Sequence, residues 1–118
     1  MPTTITLPMV HEVALGGESI IPIDFTTRLR TINGTQAILV SATAVEQTTS
    51  TLGITDTEVN DATYIDDYTG ATVNISKGVW FRVIPTLAGT YTVLVTGITN
   101  STNPGREVLP YLVTIVVA

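Results

Sequence analysis

Apolar and β-branched residues alternate with polar ones in short runs that recur about every eight to twelve residues, the spacing of strands in a sandwich. No stretch of useful length carries helix periodicity. The strongest run is Leu87-Ala88-Gly89-Thr90-Tyr91-Thr92-Val93-Leu94-Val95-Thr96. Gly89 lets the backbone turn, and from Tyr91 onward β-branched and aromatic residues dominate, which predicts the central strand. Val108 to Ala118, apolar on both faces, predicts a closing strand antiparallel to it, across a loop at Asn100 to Gly105 containing Pro104-Gly105.

Upstream the signals are shorter. Residues 1–23 read as an N-terminal arm or edge strand, since Pro2 and Pro8 remove backbone donors, His11 to Leu15 form a short run, and Gly16-Gly17 breaks it. Ser19 to Phe25 predicts a strand with Ile21, Ile23 and Phe25 on one side, and Pro22 favours an edge or a bulge. Asn33-Gly34 marks a type I′ turn. In Gln36 to Val45 the positions Ile38, Val40, Ala42 and Ala44 make one face wholly apolar and the predicted core face. Gln47 to Thr51 reads as a polar linker, followed by a short strand at Gly53 to Thr55. Asp56 to Asp67 reads as an acidic loop with a short strand inside it. Ala71 to Ile75 and Val79 to Ile84 predict a hairpin across Ser76-Lys77-Gly78. In its second strand, Trp80 and Arg82 share one face while Val79, Phe81 and Val83 share the other, and alternation leaves open which faces the core.

Composition narrows the class. The 118 residues fit one domain, expected to fold without metal or disulfide. Hydrophobic residues make up 44% and charged residues 13%, and the mean hydropathy is +0.40. An ordinary soluble domain has about 25% charged residues, so part of this surface is expected to lie against other subunits, as a homo-oligomer or on a larger particle. Cysteine is absent, which rules out a disulfide framework and thiol chemistry. No apolar run reaches the length of a membrane-spanning helix, and no basic region followed by an apolar run opens the chain, so neither a membrane nor a signal peptide is expected. With a net charge of −5 and five Lys and Arg in total, nucleic acid is not an expected partner.

Candidate chemistry is sparse. Asp56, Glu58 and Asp61 offer oxygen ligands for Ca²⁺, but their spacing differs from that of an EF-hand loop, and a solvated acidic loop is the plainer reading. The same carboxylates form an acid/base pair only if a cleft holds them. His11 is the only histidine, so neither a metal site nor a serine-type triad assembles from the sequence, and a surface position is expected for it. No cofactor and no catalytic residues are expected. Trp80, Tyr64, Tyr68, Tyr91 and Tyr111 offer aromatic faces of the kind that stack on sugars, which makes a carbohydrate-binding or host-surface adhesion module the alternative function. Arg82 and Arg106, rare cations in an acidic chain, are expected to pair with carboxylates or to contact a neighbouring subunit. Three Asn-x-Ser/Thr triplets, at Asn33, Asn74 and Asn100, carry no weight in a Thr-rich chain without a signal peptide.

These strands and turns describe an all-β, immunoglobulin-like antiparallel β-sandwich spanning residues 24–118. In such sandwiches a Gly-x-Tyr step makes the tyrosine corner, and Gly89-Thr90-Tyr91 matches it. Asp24-Phe25, Leu29, Asn33-Gly34-Thr35-Gln36-Ala37-Ile38, Val79-Trp80-Phe81, Leu87 to Val93 and Gly105-Arg106 then follow in an order that resembles the small immunoglobulin-like structural proteins of tailed bacteriophages, of the fiber–tail adaptor type. Residues 1–23 and the acidic insertion lie outside that pattern. The resemblance implies a non-enzymatic virion protein, a tail/fiber adaptor or capsid decoration subunit that contacts portal, tail, fiber or capsid proteins. Gly89, Tyr91, Trp80, Asn33 and Gly34 are the expected structural positions, and Arg82 and Arg106 the expected interaction positions.

Overall fold

The computed structural model describes residues 3–47, 51–102 and 105–118. Its strands are β1 (Ile5–Val13), β2 (Ser19–Asp24), β3 (Thr31–Ile32), β4 (Thr35–Gln36), β5 (Leu39–Glu46), β6 (Ile54–Val59), β7 (Tyr64–Ile65), β8 (Thr72–Val73), β9 (Gly78–Val83), β10 (Gly89–Thr99) and β11 (Val108–Val117). The sole helical turn among the described residues is a 3₁₀ turn at Thr26–Arg28. Two sheets pack face to face, one in the order β1-β11-β10-β5 and the other β2-β9-β6, while β3-β4 and β7-β8 form two small hairpins. The chain is an all-β sandwich.

The expected central strand is β10, the longest of the set, with neighbours on both sides. It runs antiparallel to β11 from Gly89 opposite Val117 to Ile98 opposite Val108, as the apolar pattern of the two runs predicts. Tyr91, Val93 and Val95 of β10, Tyr111, Val113 and Ile115 of β11, and Ile21, Ile23, Phe25, Val79, Phe81 and Val83 from the opposite side form one buried cluster. Phe25 meets Tyr111 edge to face, ring centres 4.8 Å apart, within the range at which an aromatic pair adds to plain burial.

The sheets stay back to back through a latch. The Tyr91 hydroxyl donates to the Leu87 carbonyl and lies 2.9 Å from Thr51 Oγ1. Gly89, with φ of +150°, turns the chain into the strand. Asn33 and Gly34, with φ of +52° and +79°, close the turn between β3 and β4, as a type I′ turn requires.

Four features depart from the sequence reading. First, β1 runs parallel to β11, so the sandwich is not wholly antiparallel. Residues 1–23 contain β1 and most of β2; each strand is the edge of its sheet, and Val13, Ile21 and Ile23 belong to the core. A boundary after residue 23 thus falls inside β2.

Second, the segments at 71–75 and 79–84 do not form a hairpin. The turn at Asn74 to Lys77, with Ser76 at φ of +63°, separates β8, which pairs with β7, from β9, which is occupied on both sides by β2 and β6. Third, the inward residues of β5 are Leu39, Ala42 and Ala44, while Ile38 and Val40 are exposed. The pairing of β5 with β10 slips between Ile98 and Thr99, which shifts the alternation at Val40.

Fourth, the acidic stretch is not one loop. Asp56 and Glu58 lie on β6, and Asp66 is buried, its Oδ1 accepting from the backbone N–H of Tyr68 at 2.8 Å. Pro2, most of the linker at 48–50 and Asn103-Pro104 of the expected last loop lie outside the described residues.

Candidate functional site

Period-two alternation turns every second residue of a strand away from the core. The two sheets therefore present two outer faces.

On the four-stranded sheet, pairing brings Thr43, Thr96 and Pro110 into one row, Val45, Leu94, Leu112 and Thr6 into the next, and Thr92, Thr114 and Val10 into another. Ser41, Ile98 and Val108 extend this face at one end, Thr90, Val116 and Glu12 at the other. Glu12 is the only charged side chain in those rows. Val45 is 55% and Val10 44% exposed.

One edge of this sheet is β5, the other β1. Gln47 N–H donates to the Thr92 carbonyl, so Ser41, Thr43 and Val45 bond to β10 while Ala42 and Ala44 turn their backbone N–H and C=O groups toward the open side; beyond the slip at Val40, Leu39 N–H donates to the Ser76 carbonyl instead. Proteins blunt such edges with proline, charge or bulges. The other three sheet edges carry these devices. Pro8 and a slipped register interrupt β1, Pro22 sits in β2, and β6 has a bulge at Asp56, φ +41°, followed by Glu58. From Leu39 to Val45, β5 has none except the slip at Val40.

On the three-stranded sheet the burial of β9 resolves the open alternative, because Val79, Phe81 and Val83 fill the core and Trp80 and Arg82 point outward. Trp80 stands opposite Pro22 on one side and Glu58 on the other. Its ring walls a groove of about 290 Å³ together with Ile20, Pro22, Asn60, Asp61, Ala62 and Tyr64. An adjoining depression of about 460 Å³ is lined by Asp56, Glu58, Val59, Asp61 and Trp80.

Asn60 braces the floor. Its amide donates to the carbonyls of Ala62 and Asn74, and its Oδ1 accepts from the N–H groups of Lys77 and Gly78 at 3.1 and 2.9 Å. Its side chain is thereby turned inward and its capacity is filled. Tyr64 fits because residue 78 is glycine; a Cβ there would stand 2.6 Å from the Tyr64 hydroxyl. Burial, helped by the Asp24 and Asp66 carboxylates, pushes that hydroxyl far above the usual tyrosine range, so it stays protonated.

Arg82 follows the sequence reading by pairing with carboxylates: its Nε lies 2.7 Å from Glu18 and its Nη1 donates to Asp56. The guanidinium also sits 5.9 Å from the centre of the Trp80 ring. Arg106 does otherwise. It donates to the Thr99 carbonyl at 3.1 Å and so closes the end of β10.

Arg28, which the sequence did not single out, stacks 4.8 Å from the Tyr111 ring and donates to the Pro110 and Thr3 carbonyls. Nothing in its local sequence signals this, because its partners lie on distant strands. His11 is buried rather than exposed, its ring 4.5 Å from that of Tyr68, because β1 places it on the core side opposite Ile115. No family model matches the chain, and no curated protein is detectably similar to it.

Proposed function

We propose that the chain is a non-enzymatic structural subunit of a larger assembly, held there by protein–protein contacts and able to associate with copies of itself. One observation carries this reading: an almost uncharged outer face ends in an edge strand that holds neither proline nor charge from Leu39 to Val45. Four strands about 4.8 Å apart and roughly ten residues long span about 600 Å², close to the roughly 800 Å² that each partner contributes to a standard interface. The open backbone of β5 adds the means for a partner strand to join the sheet.

The assembly we propose is a bacteriophage virion, with the chain as tail/fiber adaptor or capsid decoration protein. That part rests on the sequence resemblance. The runner-up, a glycan-binding or adhesion module, has the outward ring of Trp80 in its favour.

Sedimentation of the purified chain at rising concentration, beside a Val45→Lys variant, and immunogold labelling of phage particles test the proposal. The expected outcome is self-association that Val45→Lys abolishes while changing folding stability by no more than about 0.5 kcal/mol, with gold on the particle. A chain that remains monomeric and is absent from particles overturns it.

A further inference from the structure

The groove beside Trp80 is chemically the opposite of the uncharged face: the Tyr64 hydroxyl in its wall is buried, and the unpaired charged groups along it and the depression beside it are carboxylates. Asp61 lines the groove and Glu58 lines the depression that adjoins it at Asp61 and Trp80, both as hydrogen-bond acceptors. Asn60, the one amide in the wall, is saturated by backbone groups. Glu18 and Asp56 offset Arg82, whereas no cation lies within ion-pair distance of Glu58 or Asp61 among the described residues. A sugar presents both donors and acceptors and needs both in return. An ammonium or guanidinium only donates, and an aromatic face attracts it.

We propose that this groove binds a lysine or arginine side chain from a segment of a partner protein. The cation sits against the Trp80 ring with its charge directed at Asp61 and Glu58, and its aliphatic stem lies along Ile20 and Pro22. Three features match that shape. Ile20 is 54% exposed and supplies apolar wall, basic side chains keep apolar stems on such surfaces, and Arg82 already occupies one side of the same ring from within the chain. The acidic chain as a whole, at −5, favours the approach of a basic segment.

This site extends the docking role proposed above but does not depend on the virion assignment. It can be read from the isolated chain.

Trp80 is the only tryptophan, so its emission reports on the groove directly. The full chain is titrated with N-acetyl-tetralysine amide at about 150 mM salt, where long-range attraction between exposed charges is screened, and binding is also followed by calorimetry. Saturable binding with a change in Trp80 emission is expected. Asp61→Asn combined with Glu58→Gln, and separately Trp80→Ala, should each weaken it about tenfold, the size of a partly desolvated cation–π or charge contact.

Glu12→Gln on the opposite face removes one charge, against two in the double variant, and should leave tetralysine binding unchanged. Trp80→Phe, which keeps an aromatic ring and the fold, should retain part of the affinity. Tetralysine binding that is equal in the chain and the double variant, or lost equally in Glu12→Gln, refutes the groove as the site. Saturation by an uncharged chito-oligosaccharide with none by tetralysine assigns the groove to glycans and overturns the proposal. Neither result alters whether the chain self-associates, so the two proposals fail separately.

Discussion

Leu94 and Trp80 are each central in their sheets and each points away from the core, yet they face opposite surroundings. Around Leu94 the neighbours are Val45, Leu112 and threonines; around Trp80 they are Arg82, Glu58, Pro22 and Asp61. Neither arrangement is needed to build the sandwich, since the inward residues of the same strands do that. Threonine and valine satisfy the strand preference without charge, and a face made of them gains little from water. The charged rim around Trp80, by contrast, is well solvated as it stands. The two faces therefore suit two kinds of contact, a broad apolar one and a narrow charged one.

The sharpest test of that division is on β9, where one strand serves both surroundings. Phe81→Ala empties a fully buried site between the sheets and should cost about 3–5 kcal/mol. Trp80→Ala, one residue earlier and on the outside, should cost under about 1 kcal/mol. Urea unfolding midpoints measure both. Equal losses would mean that Trp80 is part of the structural core and that the outer face around it is not free to serve a ligand.

Next in size is the latch that holds the two faces back to back. Tyr91 reaches from β10 to the Leu87 carbonyl before that strand and to Thr51 in the connection between β5 and β6, so its hydroxyl ties two of the chain's crossings between the sheets. Tyr91→Phe keeps the ring and removes the hydroxyl's part-buried bonds to the Leu87 carbonyl and Thr51, a loss of about 1 kcal/mol. An unchanged urea midpoint would show that packing alone holds the corner.

How far these features could be read beforehand follows from how local their causes are. β10, its antiparallel partner β11, the inward set Ile21, Ile23 and Phe25, and the Asn33-Gly34 turn all follow from side-chain alternation and turn chemistry within a few residues. The choice between Trp80 and Phe81 depended on which sheet lay opposite, information that alternation does not hold. The core face of β5 was right at Ala42 and Ala44 and wrong at Ile38 and Val40, because a slip in pairing at Val40 reverses the parity of the strand there. The rim of the groove was missed for a similar reason. Glu58 faces Trp80 only because the bulge at Asp56 resets the register of β6 against β9. The parallel pairing of β1 with β11 joins opposite ends of the chain and has no local sign.

The smallest expected effect concerns the edge of the uncharged face. His11 lies on the core side of β1 against Tyr68, and burial lowers its pKa from 6.5, with the Asp66 carboxylate opposing in part. The folded chain therefore holds a neutral imidazole that the unfolded chain protonates more readily. Stability from this group is complete above about pH 6.5 and is lost as pH falls toward the folded value, at no more than about 1.4 kcal/mol per pH unit for one proton. His11→Leu, which cannot titrate, should remove that part of the slope between pH 7 and 5. The measurement is the difference between the two chains' urea midpoints across that range, since carboxylates common to both then cancel. If the difference stays level, β1 detaches easily enough to leave His11 in water, and the four-stranded face loses its outermost row.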